Sequence, residues 1–206
     1  MTHARHGPEL VLVRHGETEW SRSGKHTGTT DVPLTDAGRA HAELLVPRLA
    51  ERDFGLVLVS PLVRARETAK LAGLEERAEV MDELRELDYG EYEGRTTAEI
   101  REERPGWDVW REGTPGGESF DAAGERADRV IERALASEGD VALVAHAHLL
   151  RVLTARWLDL PASAGSLLAL GTAALSVLGW ERERRVLWLW NDTSHLDAPG
   201  PPAQSP

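Results

Sequence analysis

Six short apolar runs punctuate the chain: Leu10–Val13, Leu56–Ser60, Ala78–Met81, Val141–Ala145, Ala173–Trp180 and Val186–Trp190. Each is too short for a buried helix and rich in Val, Leu or Ala, so each predicts a strand, and the unbroken ones suit a sheet covered on both faces. Between them lie amphipathic stretches with helical spacing. One starts at an N-cap Thr35 and runs to about Glu51, with Pro47 expected to kink it. Others span about Leu62–Ala72, Ser119–Ala136 and the stretch after His148 up to Trp157. Strands alternating with helices predict a layered α/β fold. The charged stretch Glu181–Arg185 between the last two runs reads as the turn of an edge hairpin. Residues 9–196 make one domain, and residues 1–8 and 197–206 are expected to be disordered tails.

Composition narrows the chemistry. The chain has 206 residues, 41% hydrophobic, a formal charge of −11 and no cysteine. Without cysteine there is no disulfide or thiolate nucleophile, so a nucleophile has to be an oxygen or an imidazole nitrogen. The acidic balance disfavours nucleic acid and anionic membranes as partners. No apolar run approaches the roughly 20 residues of a membrane span, and the first residues lack a signal-peptide core, so a cytoplasmic protein is expected. A small anionic substrate remains compatible, provided that arginines build a local basic pocket.

Two strands end in histidine. Leu10–Val13 runs into Arg14-His15-Gly16-Glu17, and Val141–Ala145 into His146-Ala147-His148. The carboxyl ends of parallel strands are where open α/β sheets bind ligands. Two further places look chemical, Arg64 in Ser60-Pro61-Leu62-Val63-Arg64-Ala65-Arg66-Glu67-Thr68 and Glu86 in Leu84-Arg85-Glu86-Leu87-Asp88-Tyr89-Gly90. In a mainly parallel sheet all four could meet on one rim. His146 and His148 invite a metal-pair reading, but no Asp or Glu stands nearby at ligand spacing, and no metal is expected. His3, His6, His41 and His195 are expected at the surface, and Trp180, Trp188 and Trp190 in packing.

Taken together and in this order, Arg-His-Gly-Glu-Thr, Ser-Pro-Leu-x-Arg-Ala-x-Glu-Thr and Val-Ala-His resemble the histidine phosphatase superfamily, also called phosphoglycerate mutase-like, from Leu10 to about Trp190. The stretches Trp20–Gly28 and Trp107–Gly113 are similar to the branch holding sedoheptulose-1,7-bisphosphatase and broad-specificity acid phosphatases. The resemblance implies a three-layer α/β/α sandwich with a mainly parallel central sheet and an antiparallel edge strand. It implies a metal-independent phosphatase with no cofactor, acting on small phosphorylated metabolites.

It also assigns roles that the residues suit. Arg14 and Arg64 would neutralise the phosphoryl oxygens with their planar forks, and His146 would add an N–H donor. His15 would attack phosphorus through one ring nitrogen while the other is held by a hydrogen bond. Glu86 would protonate the leaving oxygen and later deprotonate water. Gly16 would let backbone approach the anion. Ser21, the Thr27 hydroxyl and the Gly28 N–H would touch phosphate, with turn chemistry as their plain reading. Glu17 would support the site from behind, and Trp107 and Trp110 would line the entrance. Ala147 stands where the family often has glycine.

A mutase is the first alternative, but the acidic stretch Glu91–Glu118 offers a phosphoglycerate carboxylate little. A dedicated sugar bisphosphatase would need a second phosphate site, for which Arg22, Lys25 and Arg111 are the candidates. A non-catalytic phosphate-binding protein fits poorly with an intact His15, Arg14, Arg64, Glu86 and His146. The apolar edge Val186–Trp190 could pair with a second copy to give a homodimer.

Overall fold

The computed structural model describes residues 6–196. In chain order the strands are β1 (Leu10–Arg14), β2 (Phe54–Val59), β3 (Ala78–Val80), β4 (Asp140–Ala145), β5 (Leu175–Glu181) and β6 (Arg184–Asp192). The helices are α1 (Glu19–Arg22), α2 (Asp36–Glu43), α3 (Val46–Leu49), α4 (Val63–Leu71), α5 (Thr97–Glu103), α6 (Val109–Glu112), α7 (Phe120–Leu135) and α8 (Ala147–Trp157). No helix among the described residues is long and apolar enough to cross a membrane. The calls on residues 1–5 and 197–206 fall outside the described residues. Residues 6–8, expected within a tail, instead lie against the sheet edge, where the Trp180 indole donates to the Pro8 carbonyl.

The six strands form one sheet in the order β3-β2-β4-β1-β5-β6. The first four are mutually parallel, and β5 and β6 form the antiparallel hairpin at one edge. Side chains alternate across the sheet with period two. Leu10, Leu12, Leu56, Leu58, Val141 and Leu143 face the layer built by α7 and α8, and Val11, Val13, Val57, Val59, Ala142 and Val144 face the layer built by α2, α3 and α4. With both faces covered, these strands had to be apolar throughout, as their sequences are.

Helix ends follow their capping chemistry. Thr35 accepts from the Gly38 N–H and Ser119 from the Ala122 N–H. The stretch after Thr35 is not one kinked helix: α2 ends at Glu43, and Pro47 is the second residue of the new helix α3. Proline has no N–H to give to a preceding turn, and in a first turn none is needed. Trp188 stands 55% exposed on the outer strand β6, whereas Trp180 and Trp190 pack on the core.

Candidate active site

The parallel register brings the carboxyl ends of β1 and β4 side by side, Arg14 opposite Ala145, so His15 and His146 emerge as neighbours. Their rings lie 5.1 Å apart between centroids. Arg64 reaches the same place from the first turn of α4, and Glu86 from the loop after a 3-10 turn at Asp82–Leu84. All five predicted catalytic residues therefore converge on one rim.

His15 is 5% exposed, and its Nδ1 lies 2.7 Å from the Gly16 carbonyl. A carbonyl only accepts, so Nδ1 carries the proton and the lone pair sits on Nε2. Burial holds the imidazole well below its ordinary pKa, and the charges of Arg14 and Arg64 push it further down. The ring is neutral at neutral pH and keeps its lone pair on Nε2. Glycine is required at position 16 because a Cβ there would collide with the Gly38 carbonyl in the first turn of α2. Its N–H donates to the Thr68 hydroxyl at 3.0 Å. Glu17 accepts from the Thr35 hydroxyl and so braces that same helix start.

Arg64 is fully buried and densely bonded. Nε donates to His146 Nδ1 at 3.2 Å, Nη1 to the Thr30 carbonyl at 3.0 Å, and Nη2 to the carbonyls of Thr27 and Gly28 at 3.1 and 3.0 Å. Since His146 Nδ1 accepts, its Nε2–H donates, and it lies 2.7 Å from the Ser60 hydroxyl. The His146 N–H expected to meet phosphate is thus directed at Ser60 in this structure. Burial and the Arg64 charge hold His146 well below the ordinary imidazole pKa. Arg14 donates through Nη1 to the Leu170 carbonyl, while its buried Nε has no hydrogen-bond partner among the described residues. A desolvated guanidinium N–H suits an anionic acceptor. Burial lowers the pKa of both guanidiniums, and the Glu86 carboxylate opposes that shift.

Glu86 meets the N-terminus of α8. Its Oε1 accepts from the N–H groups of Leu87 and Leu149 at 3.1 and 3.0 Å, and its Oε2 from that of His148 at 3.0 Å. Oε1 has both acceptor positions filled, so a proton carried by this carboxyl resides on Oε2. His148 turns to Tyr89 instead, its Nδ1 2.7 Å from the Tyr89 hydroxyl. Among the described residues no group of three or more His, Asp or Glu is placed to hold a metal ion.

Several side chains with finer expected roles make other contacts in this structure. Ser21 closes a capping box with Thr18 at the start of α1, its hydroxyl bonded to the Thr18 N–H and carbonyl. The Thr27 hydroxyl donates to the Lys25 carbonyl. The Gly28 N–H donates to both oxygens of the Glu93 carboxylate at 3.0 Å, which also takes the Thr30 N–H. This loop presents carbonyls to Arg64 and amides to Glu93. Trp107 is 1% exposed in the core, its indole N–H on the Gly113 carbonyl. Trp110 does reach the flank of the site, stacked on Phe120 and 5.0 Å from the His148 ring. His195, expected at the surface, is buried. Ser60 and Glu93 are the functional residues that sequence reasoning passed over; Ser60 directly follows β2 and answers to the same strand-end logic as His15.

Comparison with known proteins places this geometry. The family model for the histidine phosphatase superfamily (branch 1) matches residues 10–193. An acid phosphatase of Mycobacterium tuberculosis is 46% identical over 190 residues, covering 90% of this chain and 93% of that protein. Sedoheptulose 1,7-bisphosphatase of Saccharomyces cerevisiae is 37% identical, covering 74% of this chain and 68% of its own length. A solved structure of an open reading frame from Mycobacterium tuberculosis superposes with a TM-score of 0.83 at 44% identity, covering 89% of this chain and 97% of that one.

Proposed function

The chain belongs to the histidine phosphatase superfamily, as a phosphatase, and we propose that it hydrolyses small phosphomonoesters without a metal, through a phosphohistidine on His15. The observation that carries the mechanism is the His15 tautomer: Nδ1–H is fixed on the Gly16 carbonyl, so Nε2 offers its lone pair.

A phosphomonoester dianion repels a nucleophile unless fixed positive charge offsets it. Arg14 and Arg64 supply that charge already desolvated and in place. Nε2 of His15 forms the P–N bond as the P–O bond to the leaving group breaks, and Glu86 delivers its proton from Oε2 to the departing oxygen. Glu86, now a carboxylate, takes a proton from water as the water oxygen attacks phosphorus. The P–N bond breaks, inorganic phosphate leaves, and both residues return to their starting states.

The same geometry favours a permissive enzyme. Of the candidates for a second phosphate site, Arg22 is paired with Glu19, Lys25 lies over the Trp20 ring, and Arg111 is exposed. The test is kcat/KM in EDTA across p-nitrophenyl phosphate, 3-phosphoglycerate, fructose 1,6-bisphosphate and sedoheptulose 1,7-bisphosphate. Values within about tenfold, a spread near 1.4 kcal/mol, are expected. A preference of about a thousandfold for one sugar bisphosphate would replace the permissive reading with a dedicated bisphosphatase.

A further inference from the structure

His195 lies in the turn after β6 and takes no part in the hydrolysis described above. It is 6% exposed, donates from Nε2 to the Ala173 carbonyl at 3.1 Å, and has no hydrogen-bond partner for Nδ1 among the described residues. Ala173 is fully buried and has a φ of 54°, in the left-handed region that residues with a Cβ rarely adopt. From that conformation its N–H reaches the carbonyl of His15 at 3.0 Å.

Its neighbours bond to the same strand end. The Ala174 carbonyl accepts from the Arg14 N–H at 3.2 Å, and the Leu170 carbonyl accepts from the Arg14 guanidinium. The opposite side of this turn is tied to the end of β6: the Gly171 N–H donates to Asn191 Oδ1 at 2.7 Å, and the Trp190 indole donates to the Ala169 carbonyl. Arg48 of α3 in turn fixes the segment before His195, through Asp192 and the Ser194 hydroxyl. The turn at residues 169–174 is therefore a brace with Arg14 and His15 on one side and Asn191 and His195 on the other. A left-handed residue with a Cβ persists only where its surroundings over-determine it, and such residues cluster at functional sites.

We propose that His195, with Asn191, is a positioning residue for phosphoryl transfer: it holds Ala173 in its left-handed conformation and so fixes where Arg14 and His15 meet the phosphoryl group. This rests on the reading of His15 as the nucleophile. The test compares His195→Leu, which removes the donor, with His195→Gln, whose amide N–H replaces it. Quench-flow with p-nitrophenyl phosphate measures phosphoenzyme formation, alongside steady-state kinetics and thermal melts.

His195→Leu should slow phosphoenzyme formation at saturating substrate by about tenfold or more, with KM within about threefold of the parent, because small misplacements of reacting groups act on kcat. His195→Gln should recover the parent rate to within about threefold. If both variants melt early yet phosphorylate at the parent rate, His195 is a packing residue only and the proposal falls. Should His195→Leu not fold, Asn191→Gly carries the same test with the same two outcomes, since it keeps the positive φ of 56° and removes the bond to Gly171. The two readings separate cleanly: no phosphoenzyme in the unmodified protein overturns the nucleophile, whereas a normal phosphoenzyme with unimpaired variants overturns the brace alone.

Discussion

The two ends of the sheet both gather arginines and carboxylates, with opposite results. At the amino end a cavity of about 810 Å³ is lined by Glu9, Arg48, Arg52, Asp53, Glu138 and Asp140 among others. There Arg52 bridges Glu9 and Asp140. At the carboxyl end Arg14 and Arg64 lie buried against backbone carbonyls and neutral imidazoles, with Glu86 turned to the start of α8. At the first end the arginine is paired with carboxylates of the protein, whereas at the second the proposed function has an anion meet the guanidiniums. Charge alone therefore does not mark a site; a buried cation left without an anionic partner does.

The largest expected effect separates the ends outright. His15→Ala should lower kcat/KM by about five orders of magnitude, read with p-nitrophenyl phosphate, because the covalent route is gone. Next, Glu86→Gln should cost about a hundredfold or more in kcat/KM, which reads phosphoenzyme formation, for an alkyl phosphate and far less for p-nitrophenyl phosphate, whose leaving group needs no proton. Equal losses on both substrates would mean that Glu86 holds the start of α8 and delivers no proton.

A stability prediction follows from the buried imidazoles. His15, His146 and His148 are all held well below the ordinary value, first by burial and then by nearby guanidiniums. Below about pH 6.5 the unfolded chain binds protons that the folded chain refuses. Stability should be intact above that pH and fall as pH drops toward the depressed folded values, by up to about 1.4 kcal/mol per histidine per pH unit. Urea midpoints at pH 7.5 and 5.5 check it. The smallest effect belongs to the amino end, where Arg52→Ala should cost about 1 kcal/mol of stability and leave kcat unchanged. A loss of activity there would erase the contrast between the ends.

The carboxyl-end residues were legible because they obey sheet periodicity. An apolar run long enough to be buried on both faces has to stop somewhere, and Arg14-His15 and His146 stand where two such runs stop. Glu86 and Arg64 were legible only through the motif that surrounds them. What escaped was the direction of each hydrogen bond. Nothing near Gly28 in sequence announces that its N–H belongs to Glu93, nor anything near His146 that Arg64 and Ser60 occupy both its nitrogens. Polar partnerships between distant segments depend on packing that local pattern does not encode, and the same holds for His195 against Ala173. Pro47 was misjudged for a local reason: the same ring that breaks a helix interior is welcome in a first turn.

The position of β1 in the sheet bears on how the protein folds. Its two neighbours, β4 and β5, both come from the far half of the chain, so the strand that carries Arg14 and His15 is made early and pairs late. Pairings so distant in sequence close long loops before they return any stabilisation, which slows folding and leaves β1 open to unwanted pairing in the meantime. A nascent chain that stops before residue 169 holds His15 but neither the neighbouring strand β5 nor the turn that bonds to it.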